Sequence, residues 1–273
     1  MEHSNYFLLY NGVRIPKIGF GTWQIPDGEI CYNAVADALR SGYRHIDTAR
    51  AYANEVSVGQ AIRDSGIERN NIFITSKLPA EIKTYEGAWE SYNKTMDNLG
   101  CYYLDLYLIH APWPWAEMGS DYSKENIAVW KAMEEIYKGG RCRAIGISNF
   151  NVNDITAILN VCEIKPMVNQ IKYHIGFTQE DITTFCLSNG ILIEGYSPFA
   201  TGRILGNKEI GEIACKYDVT VPQICIKYIL QKRVLPLPKS VTPERMAKNL
   251  EIDFEISAED INFLDSLCYN NIV

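Results

Sequence analysis

At 273 residues, 47% apolar and 22% charged, the chain has the composition of an ordinary globular protein with ample material for a buried core, which excludes disorder. The formal net charge of −7 argues against a surface that attracts nucleic acid or anionic membrane as a whole, while leaving room for a local basic pocket. No apolar stretch approaches the roughly 20 residues needed to cross a bilayer, and the opening MEHSNYFLLYNG lacks a basic segment followed by an apolar run and a cleavage site, so a cytoplasmic location is expected.

In FLLYNGVRIP, Asn11-Gly12 separates two short strand-like runs, and Asn-Gly suits the positive φ angles of a two-residue turn; a β-hairpin is predicted ahead of the main fold. Eight short runs rich in Ile, Val, Leu and Tyr follow in order: KIGFGT, YRHIDT, NIFITSK, LDLYLIH, CRAIGISN, PMVNQIK, ILIEGYS and VLPLPKS. Between them lie stretches of helical spacing, including 30–39, 55–64, 87–99, 127–137 and 155–159, each long enough to return the chain to the start of a parallel strand. Residues 207–231 divide near Val221-Pro222 into two helices. The tail, with Ser257 as N-cap and Glu259 and Asp260 in the first turn, forms another helix ending near Leu267.

Strict alternation of strand and helix calls for a parallel sheet. Eight units of roughly 25 to 40 residues without a linker or composition break fit a closed (β/α)8 TIM barrel, one domain over 1–273, better than an open doubly wound sheet. Cys31, Cys101, Cys142, Cys162, Cys186, Cys215, Cys225 and Cys268 form no CxxC pair and are expected to be reduced thiols. The four histidines make no HExxH, so no metal site is expected. His3 is expected to be a mobile terminal residue, His45 to orient its strand or face a helix, and His174 to be structural. Trp89 and Trp130 fall in amphipathic stretches and are assigned to packing.

The informative pattern is what ends each apolar run. Asp47, Lys77, His110, Asn149, Gln170, Tyr196 and Lys239 each follow one, and in a parallel barrel all these ends share the face on which barrel enzymes build their sites. Carbonyl reduction needs a hydride donor, a proton donor and polarisation of the carbonyl oxygen. Tyr52, five residues past Asp47, can supply the proton if an ammonium lowers the phenol's pKa; Lys77 is the candidate ammonium, and Asp47 its counter-charge. His110 would hold the carbonyl oxygen.

At this point the sequence resembles the aldo-keto reductase family, of the short bacterial type similar to diketogluconate and methylglyoxal reductases. The matching stretches are GFGTW, DTARAYANE, ITSK, DLYLIH, GISNF, NQ, GYSPFATG and LPKSVTPERMAKN, in order along essentially the whole chain. The resemblance implies a barrel whose bottom is capped by the hairpin, a monomer, and a catalytic tetrad of Asp47, Tyr52, Lys77 and His110. It implies that Ser148, Asn149 and Gln170 bond the nicotinamide carboxamide and that Tyr196 stacks on the nicotinamide. Gly21, Thr22, Trp23, Ser197, Pro198, Phe199, Val241 and Asn249 complete the implied cofactor contacts, and Trp23, Tyr52, His110 and Trp113 the substrate pocket.

The cofactor's identity has its own physical rationale. Ser240 or Thr242 can cap a helix begun by Pro243, which gathers Lys239, Ser240 and Arg245 at a helix N-terminus, where anions are favoured. Two cations there suit the 2′-phosphate of NADPH better than the bare ribose of NADH, and no GxGxxG supports a Rossmann domain.

The sequence departs from the family pattern in three places: Ala111 and not tryptophan follows the histidine, with Trp113 or Trp115 able to refill the space; Lys248 stands where an acid often meets the adenine; and Lys172 and Ile175 replace the usual acid and proline around His174. Two other functions fit the same scaffold. One is a cofactor-binding regulatory subunit, which the intact tetrad and the lack of a docking extension disfavour; the other is a Schiff-base lyase using Lys77.

Overall fold

The computed structural model describes residues 5–268, so the expectation for His3 lies outside the described residues. Strands β1 (Tyr6–Leu8) and β2 (Arg14–Pro16) pair antiparallel with Phe7 opposite Ile15. Their connection is longer than the two-residue turn expected from Asn11-Gly12. Gly12 N–H donates to the Leu9 carbonyl and Leu9 N–H to the Val13 carbonyl, both at 2.9 Å, and of the Asn-Gly pair only Gly12 has positive φ, 86°. That is a three-residue loop with glycine in the left-handed position. The Asn11 side chain accepts from Val13 N–H and donates to the Arg143 carbonyl, and the Tyr10 hydroxyl donates to the Lys165 carbonyl, so the hairpin is tied to the strand-entry end of the barrel.

The barrel strands are β3 (Phe20–Gly21), β4 (His45–Asp47), β5 (Phe73–Leu78), β6 (Leu104–Ile109), β7 (Cys142–Ser148), β8 (Val168–Lys172), β9 (Leu192–Tyr196) and β10 (Leu235–Leu237). They hydrogen-bond in chain order, every pair parallel, and each falls in one of the eight apolar runs named above, β5 running one residue past its own to Leu78. Gly19 N–H to the Pro236 carbonyl (3.1 Å) and Gly21 N–H to the Pro238 carbonyl (3.0 Å) close the ring. Both donors come from the glycine side because proline has no N–H to give. Gly19 is required here: a Cβ would sit 2.4 Å from Leu237 Cδ2 and 2.7 Å from His45 Nδ1.

The crossovers are α1 (Glu29–Ser41), α2 (Glu55–Asp64), α3 (Tyr85–Leu99), α4 (Ser123–Lys138), α5 (Val152–Leu159) and α6 (Glu180–Ser188), with α7 (Lys208–Lys216) and α8 (Val221–Gln231) between β9 and β10, then α9 (Pro243–Leu250) and α10 (Ala258–Ser266). The break between α7 and α8 falls where Thr220 and Gln223 form a capping box on either side of Pro222, and Ser257 caps α10 by accepting from Asp260 N–H. Helix α6 was not singled out above because its periodicity is weak; Cys186 is its one fully buried residue.

Two cores result from strand alternation. Outward residues such as Ile46, Ile74, Ile109, Ile145 and Ile171 pack under the helices, Trp130 among them, with Trp89 packed against this layer. Inward residues Phe73, Leu106, Leu108, Ala144, Val168, Leu235 and Leu237 fill the lower barrel, where Leu9 and Ile15 of the hairpin seal them from below. Burying these two side chains contributes about 1.5–3 kcal/mol each. Among the described residues all eight cysteines are free, no His, Cys, Asp and Glu cluster could hold a metal, and no helix is long and apolar enough to cross a membrane.

Candidate active site

Above the apolar floor the barrel interior turns polar. Asp47 ends β4, Lys77 lies near the end of β5, His110 follows β6, Ser148 and Asn149 end and follow β7, Gln170 lies in β8, and Tyr196 ends β9. These ends open into one cavity of about 870 Å³ whose wall includes Asp47, Tyr52, His110, Gln170 and Tyr196, with Lys239 at its edge.

Lys77 is fully buried, and its ammonium is saturated: Nζ lies 2.7 and 2.9 Å from the Asp47 carboxylate oxygens, 3.0 Å from the Thr48 carbonyl and 3.3 Å from the Tyr52 hydroxyl. Burial works to lower its pKa, but Asp47 and Tyr52 outweigh burial and the amine is held above its ordinary value. Tyr52 reaches this point because a short 3-10 turn, Arg50–Tyr52, folds the chain back directly after β4. Its phenol corrects the sequence expectation in one respect. Burial pushes the pKa up by more than the Lys77 ammonium pulls it down, so the net direction is upward. The ammonium therefore offsets a desolvation cost rather than making the phenol a stronger acid than free tyrosine.

His110 packs its ring edge against Tyr52, with centroids 5.6 Å apart, and its Nδ1 has no hydrogen-bond partner among the described residues. Burial, then the Lys77 charge, pushes its pKa down to about 3, which keeps the ring neutral at physiological pH. The loop after β7 is locked by its own network. Asn149, with φ of 63°, donates to the His110 carbonyl (2.9 Å) and accepts from the Tyr196 hydroxyl (2.8 Å), while Ser148 Oγ donates to the Gln170 carbonyl (2.8 Å).

The remaining sequence candidates divide into three groups. Gly21, Trp23, Ser197, Pro198, Phe199 and Lys239 join Asp47, Tyr52 and His110 and the Ser148, Asn149, Gln170 and Tyr196 cluster on the cavity wall, with Lys77 buried beneath it. Thr22 is fully buried behind it, donating to the Asp47 carbonyl. Ser240, Val241, Arg245 and Asn249 lie off the wall at α9. Ser240 Oγ accepts from Thr242 N–H without capping the helix, Val241 and Arg245 are exposed, and Asn249 is buried with its side chain against Tyr43. Lys248 pairs with Glu251 at the surface.

Two expectations change. Trp115, and not Trp113, lines the cavity: the Trp115 ring meets His110 edge-on at 5.5 Å, and Trp113 stands behind it at 5.3 Å from Trp115. Pro114 sets this order, because it directs the chain into the 3-10 turn Trp115–Glu117. Of the two roles expected for His45, facing a helix is excluded while orienting its strand agrees with the structure: the ring faces the barrel interior and bonds Thr75 Oγ1 of β5 at 2.9 Å. His174 is structural as expected, buried and bonded to the Ile175 carbonyl.

Sequence reasoning missed three supporting residues. Asn54 ties the loop after β4 together, accepting from Thr48 Oγ1 and donating to the Thr22 and Ile25 carbonyls. Glu55 accepts from Ser76 and Asn98, fastening α2 to β5 and α3. Glu194 accepts from Gln170; its signal was available, since a carboxylate interrupts the apolar run ILIEGYS two residues before Tyr196 and so shares its face.

The sequence profile described as the Aldo/keto reductase family matches residues 17–268. Glyoxal reductase of Bacillus subtilis is 41% identical over 260 residues, covering 95% of this chain and 91% of that protein. The crystal structure of MGS-M4, an aldo-keto reductase enzyme from a Medee basin deep-sea metagenome library, matches with a TM-score of 0.90 at 38% identity, covering 96% of this chain and 94% of that one. An aldo-keto reductase crystallised with NADPH, AKR2E5, matches with a TM-score of 0.88 at 31% identity, covering 96% of this chain and 87% of that one.

Proposed function

The chain belongs to the aldo/keto reductase family, oxidoreductases acting on carbonyl and CH–OH groups, and from that premise we propose that it uses NADPH to reduce small aldehydes and ketones, 2-oxoaldehydes and keto-sugars among them. We take it to act as one barrel domain and as a monomer in the cytoplasm. The observation that carries the reading is the Tyr52 hydroxyl, 3.3 Å from a saturated, buried Lys77 ammonium and on the wall of an 870 Å³ cavity.

The cofactor's place is supported by unspent polar capacity on that wall. Both Gln170 Nε2 protons are taken by Asp47 and Glu194, which leaves its Oε1 to accept from a carboxamide. Tyr196 offers a ring face beside it, and Lys239 with Arg245 supplies cations for the 2′-phosphate. NADPH supplies the hydride when bound. As negative charge develops on the carbonyl oxygen, Tyr52 gives its proton to that oxygen and the resulting phenolate is stabilised by Lys77, which Asp47 keeps charged. Neutral His110 holds the same oxygen as a hydrogen-bond partner and does not compete as the acid. Trp23 and Trp115 give the cavity an apolar wall on the substrate side.

Lys77 does not suit a Schiff-base lyase, because an amine held protonated by Asp47 and saturated by four contacts is no nucleophile. NADPH oxidation against methylglyoxal, aromatic aldehydes, diketogluconate and simple sugars tests the proposal. A ranked profile that vanishes in Tyr52→Phe is expected; no oxidation with any of them, or turnover untouched by that change, refutes it.

A further inference from the structure

Glu194 is fully buried inside the barrel, one inward position below Tyr196 on β9. Its Oε2 accepts from Gln170 Nε2 at 2.8 Å, the same nitrogen that donates at 2.8 Å to Asp47 Oδ2. Its Oε1 has no hydrogen-bond partner among the described residues and stands 4.0 Å from His45 Nε2. The groups around it are His45 and Asp47 from β4, Lys77 from β5 and Gln170 from β8, while β10 presents Leu235 in register with it. Among the described residues no lysine or arginine pairs with the carboxyl. Burial first, and the Asp47 charge second, push it up to about 8, so at neutral pH it is an uncharged acid.

A neutral carboxyl with one idle oxygen adds little as an ion pair, and a hydrocarbon of the same size would fill the space and leave only the second Gln170 N–H without its acceptor. What it does provide is a second acceptor for one amide. A primary amide held by one hydrogen bond is free to swing about that bond, whereas two acceptors on its two N–H groups fix its plane. With both Nε2 protons engaged below the cavity wall, Gln170 presents its oxygen on the other side.

We propose that Glu194 is a positioning residue for cofactor recognition: by taking the second N–H of Gln170 it fixes the amide plane, so that Gln170 Oε1 is held as an acceptor for the N–H of a primary carboxamide, here that of the nicotinamide. The inference rests on the NADPH reading above. It differs from a structural role in acting on one functional group of the ligand and only through Gln170.

The test compares binding of NADP+ with that of its 3-acetylpyridine analogue, in which a methyl ketone keeps the carbonyl but removes the N–H donors, by quenching of tryptophan fluorescence. Wild type is expected to prefer the amide by about tenfold, the worth of one hydrogen bond. E194M, similar in volume and without polar atoms, loses most of that preference; E194Q, which still offers a carbonyl acceptor, keeps it; in a Q170A background E194M has no further effect. A folded E194M that retains the wild-type preference, an E194Q that loses it, or a further loss in the Q170A background overturns the inference. Should E194M not fold, E194D decides the matter, because withdrawing the carboxyl by one methylene breaks the contact with Gln170; an undiminished preference there overturns it too. Wild type that binds neither dinucleotide overturns the NADPH reading itself, and this inference with it.

Discussion

The Tyr52 hydroxyl oxygen lies 3.3 Å from the Lys77 ammonium nitrogen, which the Asp47 carboxylate grips through both oxygens at 2.7 and 2.9 Å. In the proposed mechanism the phenol, raised in pKa by burial, stays protonated until a developing alkoxide takes its proton, and the ammonium then meets the phenolate without moving.

Replacing Tyr52 by phenylalanine removes the proton and leaves the ring. Turnover is expected to fall by about 10² to 10⁴, the usual worth of a positioned general acid, with NADPH affinity nearly unchanged. Steady-state kinetics and a fluorescence titration on the same preparation check both halves; loss of NADPH binding would make Tyr52 a structural residue.

His110→Ala is expected to lower kcat/KM by about 10², as for one lost donor at a carbonyl oxygen. Burial and the Lys77 charge put its pKa down at about 3, so the kcat/KM profile should also show no inflection near 6.5 in wild type. An inflection there that disappears in the variant would mean that His110 is itself the acid.

Arg245 has an exposed guanidinium at the start of α9 and no ion pair among the described residues. Arg245→Ala should weaken NADPH by about tenfold or more while leaving NADH nearly unchanged, because a charge-assisted bond to the 2′-phosphate is lost. Equal weakening of both, measured by binding, removes that role.

Stability should depend on pH from two sides. His45 and His110 are neutral when folded, both pushed to about 3 by burial and the Lys77 charge, against an ordinary value of 6.5. The unfolded chain therefore takes up protons that the folded one refuses, and stability falls as pH drops from about 6.5 toward 3, by about 1.4 kcal/mol per pH unit per group at most. Glu194 has the opposite sign. Its folded value of about 8 against 4.5 means the folded state keeps a proton that the unfolded chain has lost, so stability also falls as pH rises through that interval. With two histidines raising stability and one glutamate lowering it between pH 4.5 and 6.5, thermal melts should place the maximum near pH 6.5, and the melting temperature of E194Q relative to wild type should climb between pH 5 and 8. A difference that stays flat across that range would mean Glu194 is ionised in the folded protein.

Trp115→Ala should raise KM for aromatic aldehydes by about tenfold, as expected when apolar contact of roughly 50 Å² is lost, with a smaller effect on methylglyoxal. The same change at Trp113 should matter less, since that ring stands behind the cavity wall. A larger effect at Trp113 would reverse the assignment.

The eight strands, the split between α7 and α8, and the Ser257 cap were legible in the chain because each depends on residues within one short stretch. Strand alternation is equally local. It told which side chain ended each run, and barrel topology then required Asp47, Lys77, His110, Gln170 and Tyr196 to gather at one end of the barrel, where all but the buried Lys77 line the cavity.

Only the folded molecule decided how those groups meet. The balance between burial and Lys77 at Tyr52 depends on neighbours from β4 and β5, and the choice of Trp115 over Trp113 on where Pro114 turns the chain. Asn11 was drawn out of the expected turn by the Arg143 carbonyl, 132 residues away. Glu194, Gln170 and Asp47 meet on a single amide although they come from three strands. Desolvation and hydrogen-bond partnership are properties of a place in space, and spacing along the chain shows which face a residue takes but not which partners chain closure brings to it.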